Sequence, residues 1–204
     1  MTQRLNQLLQ ETGQPPLDAE TAQKFAAYLA LLQKWNARTN LTSVRDEEGI
    51  LSRHFLESIV CAHSLPENIS SLLDFGSGAG FPGIPIALIQ KDLTVTLAES
   101  QHKKVAFLRE AVRVLGLDVA VHSGRAETLT NQFDCIALRA VDDMHQAIAA
   151  TTRLLAPQAW LAILTTHEDA PEMRNQNSSN FDWKLPLPLA SGTNRILLLG
   201  QASG

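Results

Sequence analysis

The chain opens with apolar positions at helical spacing. Leu5, Leu8 and Leu9 form a short stripe that Gly13, Pro15 and Pro16 bring to an end. Asp18 has the character of an N-cap, and Ala22, Phe25, Ala26, Leu29 and Leu32 after it recur with the period of a second helix. A polar link from Asn36 to Arg45 is expected next. A third helix then carries Leu51, Phe55, Ile59 and Ala62 on one face, with Pro66 closing it.

From Ser71 the pattern changes to short apolar runs separated by helical stretches, as in a parallel sheet covered on both faces. Strands are predicted at Leu72 to Phe75, Leu93 to Ala98, Val119 to His122, Phe133 to Leu138 and Trp160 to Leu164. Helices fit between them. Lys103 to Leu115 is the clearest, with Val105, Leu108, Val112 and Leu115 on one side and Gly116 as its stop. After Thr165 the spacing predicts a polar loop and two closing strands, Trp183 to Leu189 and Arg195 to Leu199.

The 204 residues, 45% hydrophobic and 19% charged, suit one compact α/β domain, with residues 1–66 as a helical cap and 67–204 as the core. Met1 to Glu11 lacks the apolar centre of a secretory signal, and no stretch approaches a membrane span. With only Cys61 and Cys135, a reducing cytoplasm and two free thiols are expected, in a monomer. The net charge of −4 argues against coating nucleic acid through bulk electrostatics but leaves room for a local basic patch.

The chemistry concentrates after the first strand, where Leu72-Leu73-Asp74-Phe75 runs into Gly76-Ser77-Gly78-Ala79-Gly80-Phe81-Pro82-Gly83. Such glycines let backbone approach a ligand without an intervening Cβ, and a doubly wound sheet binds its ligand at the carboxyl ends of its strands. The dinucleotide fingerprint wants a third glycine where Phe81 stands, so the match to it is poor. Asp74 would crowd a pyrophosphate but attract the cationic amino-acid end of a sulfonium cofactor. Glu99, ending the second strand, is placed to take both ribose hydroxyls of an adenosine. Acid, glycine loop and second acid read as S-adenosylmethionine; the bland alternative is a purely structural turn.

Several segments resemble the RsmG (GidB) family of bacterial rRNA guanine-N7 methyltransferases. They are Lys34-Trp35-Asn36, Asn40 to Asp46, Arg53-His54-Phe55-Leu56-Glu57-Ser58-Ile59, Gly76 to Pro85, Lys103 to Leu108 and Leu138-Arg139-Ala140. The resemblance implies a class I, Rossmann-like methyltransferase with an N-terminal helical cap. It would transfer methyl from S-adenosylmethionine to N7 of one guanine of 16S rRNA near the decoding site, on RNA or on a small-subunit assembly state. It also implies cofactor contacts at Gly76, Phe81, Ala126, Glu127 and Arg139, beside Asp74, Gly78 and Glu99. The chain departs from the family after the fifth strand. Leu164-Thr165-Thr166-His167 stands where the family has lysine and glycine, so a cationic contact there is absent or supplied by His167, while Arg195 keeps the family's arginine position before the last strand.

Guanine N7 has a lone pair and no proton, so no general base is required and catalysis would rest on alignment in a dry pocket. Asn40 and Arg139 are the candidates for positioning, although Asn40 also reads as a turn or cap residue before Leu41. Arg45, Arg53, Arg125 and Arg195 are candidate RNA contacts that read equally as solvated charges. His54 is expected to be a helix-face histidine bonded within the cap. The six histidines show no metal-ligand spacing, and no metal is expected. Trp35, Trp160 and Trp183 read as packing residues. A class I enzyme acting on a small molecule or protein, and a non-catalytic RNA-binding module, remain the rival functions.

Overall fold

The computed structural model describes residues 1–190 and 193–203. Helix α1 (Thr2–Glu11) buries Leu5, Leu8 and Leu9. Helix α2 (Ala19–Thr39) starts where expected, with the Asp18 carboxylate accepting from the Thr21 amide at 2.8 Å. It runs to Thr39, through the start of the expected polar link. Asn36 is polar yet helical because its buried side chain organises the segment that follows: Oδ1 accepts from the Thr42 amide at 3.0 Å, and Nδ2 donates to the Val44 carbonyl at 3.4 Å.

The third helical stretch comprises α3 (Glu47–Gly49), a π-helical turn (Ile50–Leu56) and α4 (Glu57–Ser64). Its buried face includes Leu51, Phe55 and Ile59 as the periodicity requires.

The core follows as β1 (Ser71–Phe75), α5 (Gly83–Ile89), β2 (Thr94–Glu99), α6 (His102–Leu115), β3 (Val119–Ser123), β4 (Phe133–Arg139), α7 (Met144–Thr151), β5 (Leu155–Thr166), α8 (Ala170–Gln176), β6 (Phe181–Trp183), β7 (Leu187–Pro188) and β8 (Arg195–Ala202), with a 3₁₀ turn at Ala126–Thr128. Strands lie in the order β3-β2-β1-β4-β5-β8-β6, with β7 also paired to β8. The first five are parallel, and β8 runs antiparallel to β5. The chain winds from β1 out to β3 and then returns to the other side of β1 with β4. The carboxyl ends of β1 and β4 therefore flank the switch point, where such sheets open a crevice.

Alternation along the strands divides the core in two. Leu72, Val95, Leu97, Cys135 and Ala137 face the cap helices with α5 and α6. Leu73, Phe75, Ile136, Leu138, Leu161 and Ile163 face α7 and α8. The five parallel strands fall where the sequence puts them, but β5 begins at Leu155 rather than Trp160.

Two expectations fail. The polar loop after Thr165 contains α8, which buries only Ala170 and Met173 and so leaves little apolar signal. The run Trp183 to Leu189 splits into β6 and β7, because Pro186 and Pro188 have no amide to give to a ladder.

Cap and sheet meet in an aromatic cluster. Phe55 packs at 5.0 Å between ring centroids from Phe25 and 5.4 Å from Tyr28, and Phe81 of the glycine loop lies 5.3 Å from Tyr28. Trp35 joins the cap to α6 through its indole, which donates to Glu110 at 3.0 Å. Replacing Phe55 with Ala should lower stability by about 3–5 kcal/mol. Because the cluster belongs to both parts, Trp35 and Trp160 fluorescence and helical circular dichroism should report one shared transition in urea. Separate transitions would show that the cap folds independently.

Candidate cofactor and acceptor site

The loop after β1 is bound to the end of β2: the amides of Gly76 and Ser77 both donate to the Ala98 carbonyl, at 3.0 and 2.9 Å. Two of its glycines serve different ends. Gly80 has φ +87, and a Cβ there would lie 2.8 Å from the Tyr28 hydroxyl and 2.5 Å from Ile84, so this glycine allows the cap to close. Gly78 has φ +58, and the nearest atom to a Cβ would be the Gly76 carbonyl oxygen at 3.9 Å. That side of the loop faces open space, as a ligand cradle requires.

Glu99 fixes the cradle from below. Its Oε2 accepts from the Gly78 amide at 2.9 Å and its Oε1 from the Gln101 amide at 2.8 Å. Each carboxylate oxygen can accept a second bond, so the group can hold the loop and still receive a hydroxyl.

Asp74 departs from its expected role. It is buried, and Oδ2 accepts from the Gly83 amide at 3.0 Å, pinning the start of α5. Burial pushes its carboxyl up to about 7. It acts on the shape of the loop and is not among the residues lining the cavity beside it.

That cavity, of about 270 Å³, is lined by Gly76, Glu99, Lys104, Arg125, Ala126, Glu127 and the segment Ala140–Asp143. The structure thus brings together Gly76, Glu99, Ala126, Glu127 and Arg125, drawn from three separate segments of sequence. A second cavity of about 310 Å³ shares the wall Ala140–Asp142 and is closed by Leu164, Thr165, Asp169, Met173 and Arg195.

The other candidates lie elsewhere. Asn40 is exposed, caps α2 in the left-handed region (φ 49) that asparagine tolerates, and accepts from Arg45 at 2.7 Å. It lines neither cavity, so the catalytic reading gives way to the cap. The Phe81 ring is turned into the cap, 4.6 Å from the stacked ring of His54. Arg53 is exposed, but its carbonyl accepts from Arg139 Nη2 at 2.6 Å.

Arg139, expected to grip cofactor or acceptor, is buried at the seam, and Nη2 also donates to Glu57 Oε2 at 2.9 Å. Burial lowers its pKa, and Glu57 opposes that shift. Arg195, expected on RNA, has Nε 3.5 Å from Glu57 Oε1, an ion-pair contact without hydrogen-bond geometry.

Glu57 and Tyr28 are the residues that sequence reasoning passed over. Glu57 stands among apolar neighbours in the Arg53 to Ile59 segment and is 1% exposed. A carboxylate on the buried face of a helix was the available signal. Tyr28, the one tyrosine of the chain, lies on the Phe25–Leu32 stripe, and its hydroxyl donates to the Ala79 carbonyl. No group of three or more His, Cys, Asp or Glu arranged to hold a metal occurs among the described residues.

Comparison with known proteins fits this geometry. The family model for GidB, described as rRNA small subunit methyltransferase G, matches residues 21–185. The chain is 48% identical over 135 residues to the ribosomal RNA small subunit methyltransferase G of Roseiflexus sp. (strain RS-1), covering 63% of this chain and 58% of that protein. It is 42% identical over 156 residues to the protein of the same name from Halorhodospira halophila, covering 76% and 74%. The chain thus spans 58% of the length of the Roseiflexus relative. Among solved structures, a SAM-dependent methyltransferase from Aquifex aeolicus superposes with a TM-score of 0.62 at 17% identity, covering 78% of this chain and 95% of that one. M. jannaschii TYW2 in complex with AdoMet superposes with a TM-score of 0.59 at 14% identity, covering 78% and 77%. These two likenesses establish the class I methyltransferase fold.

His54 is bonded within the cap as expected, its Nε2 2.8 Å from the Thr42 hydroxyl. Burial, with Arg139, Arg53 and Arg195 nearby, lowers its pKa to about 3 from 6.5. A base whose pKa falls on folding contributes stability that is present above 6.5 and lost as pH falls toward 3. Between pH 6.5 and 5 this amounts to as much as about 2 kcal/mol. His54→Gln should lack that component, so the stability difference between wild type and variant should narrow across this window in urea titrations. A constant difference would mean that His54 already titrates normally when folded.

Proposed function

The chain belongs to the GidB family of rRNA small subunit methyltransferases G, and on that footing we propose that it methylates N7 of one guanine in 16S rRNA near the decoding site, using S-adenosylmethionine. The observation that carries the cofactor half is the open side of Gly78, whose amide is held by the Glu99 carboxylate, with Glu99 itself lining a cavity reached by four segments of the sheet's carboxyl edge. The residues present fit the group. Glu99 would take the ribose hydroxyls, Gly76 and Gly78 would admit the ligand to the backbone, and Ala126 and Glu127 would flank the adenine.

S-adenosylmethionine supplies a methyl group on a positively charged sulfur, already activated toward a neutral nucleophile. The protein's own work is then placement. The shared wall Ala140–Asp142 separates the cofactor cavity from the second cavity, which is where an acceptor base would sit. No side chain needs to remove a proton, because guanine N7 carries none. The part-buried His54, its pKa lowered to about 3 and its ring stacked on Phe81, is therefore consistent with packing rather than base catalysis.

Arg125 at the cavity mouth, with exposed Arg45 and Arg53, would meet RNA phosphates in an otherwise acidic protein. Residues 1–66 would act as the cap that positions this edge. The substrate is 16S rRNA or a small-subunit assembly state, encountered by a cytoplasmic monomer without a metal. No helix among the described residues is long and apolar enough to cross a membrane.

Glu99→Ala removes charge-assisted bonds worth roughly 1.5–3 kcal/mol each, so the dissociation constant for S-adenosylhomocysteine should rise at least about tenfold by calorimetry. A change below about twofold in a folded variant would take Glu99 out of the cofactor site. For the acceptor, RNA that has taken up labelled methyl should break at one guanine after borohydride and aniline. Its single-turnover methylation rate should stay flat through the histidine range. Label without that break would reject N7, and label in protein or small molecules alone would favour another acceptor.

A further inference from the structure

Where α4 meets the carboxyl end of β4 and the amino end of the antiparallel β8, one buried carboxylate faces two guanidinium groups. Glu57 is 1% exposed, and the Arg139 and Arg195 side chains are 7% and 19% exposed. Oε2 accepts from Arg139 Nη2 at 2.9 Å, and Oε1 stands 3.5 Å from Arg195 Nε. Arg139 Nη1 and Arg195 Nε are buried without a hydrogen-bond partner among the described residues, so no other described group holds these two atoms. Both arginines border the chemistry. Arg139 directly precedes Ala140, which lines both cavities, and Arg195 itself lines the second.

A planar guanidinium with free rotation would sweep the acceptor cavity; one drawn to a fixed carboxylate presents one face. Glu57 sits at the end of the π-helical turn Ile50–Leu56, from which the Arg53 carbonyl also reaches Arg139. Such turns displace side chains from ordinary helical register.

We infer that Glu57 is a positioning residue, whose carboxylate orients Arg195, and Arg139 beside it, to form the wall against which the acceptor base is seated. The inference rests on the methyltransferase reading for its kinetic consequence, while its structural core stands apart from that reading.

Two measurements test it. The first is the nitrogen-15 resonance of Arg195 Nε, whose proton is shielded from solvent in the structure. In Glu57→Gln it should shift and exchange faster with water, and an unmoved, protected resonance overturns the inference whether or not RNA is methylated. The second is a double-mutant cycle of Glu57→Gln and Arg195→Gln, read as the single-turnover methylation rate per site that binds S-adenosylhomocysteine. Each single change should slow that rate by between about tenfold and a hundredfold. The double change should be no slower than the worse single one, and product affinity should stay within about threefold throughout. Additive losses overturn the inference, as would equal slowing by Ser58→Ala, which disturbs the same helix by removing a bond to the His54 carbonyl. Should Glu57→Gln fail to fold, Glu57→Asp replaces it in the cycle, keeping the charge but withdrawing it by one methylene. Failure of wild type to methylate any RNA would sink the functional reading alone and leave the resonance test to decide this one.

Discussion

The packing of the glycine loop against the helical cap governs the rest of the molecule. A loop of three positive-φ glycines has little internal reason to hold one shape. Here its outer side is held by the Tyr28 hydroxyl on the Ala79 carbonyl and by the Phe81 ring among the cap aromatics. Its inner side is held by Glu99 and Asp74. With both sides fixed, the open flank at Gly78 becomes a defined surface. The cap is therefore part of the cradle, although none of its residues lines the cavity.

The same seam is where charge is buried. The cap brings Glu57 to meet Arg139 of β4 and Arg195 of β8, and forces His54 to remain neutral beside them. Removing one member of such a group costs more than the group itself contributes, because an uncompensated charge is left behind. A network of this kind specifies an arrangement more than it stabilises one, and its location beside the shared wall of the two cavities gives that arrangement a use.

What the sequence made legible follows from the range of the forces involved. The parallel strands, Asp18 as a cap and Gly116 as a stop depend on neighbours a few residues away, and they can be read directly. Glycine loop and Glu99 were legible because the order of strand, loop and second strand end is itself local information. Asn36 in α2, the short helix α8 and the interrupted strand at Pro186 were misread because side-chain bonds, slight burial or missing amides outweighed pattern. For Arg139 and Arg195 the region was legible and the protein partner was not: Glu57 lies 82 residues from one and in a different element from the other, and no spacing rule connects them.

The two thiols carry a practical consequence. Cys61 is buried, and its surroundings push the thiol up to about 12, while burial drives Cys135 well above the ordinary range. Burial thus keeps the thiolate, the form that reacts with maleimides and peroxides, scarce at pH 8. Two buried thiols of raised pKa should react only slowly with thiol reagents while the chain is folded. A single cysteine placed at Leu185, which is 83% exposed, would take a fluorophore alone, and loss of that selectivity would report opening of the core.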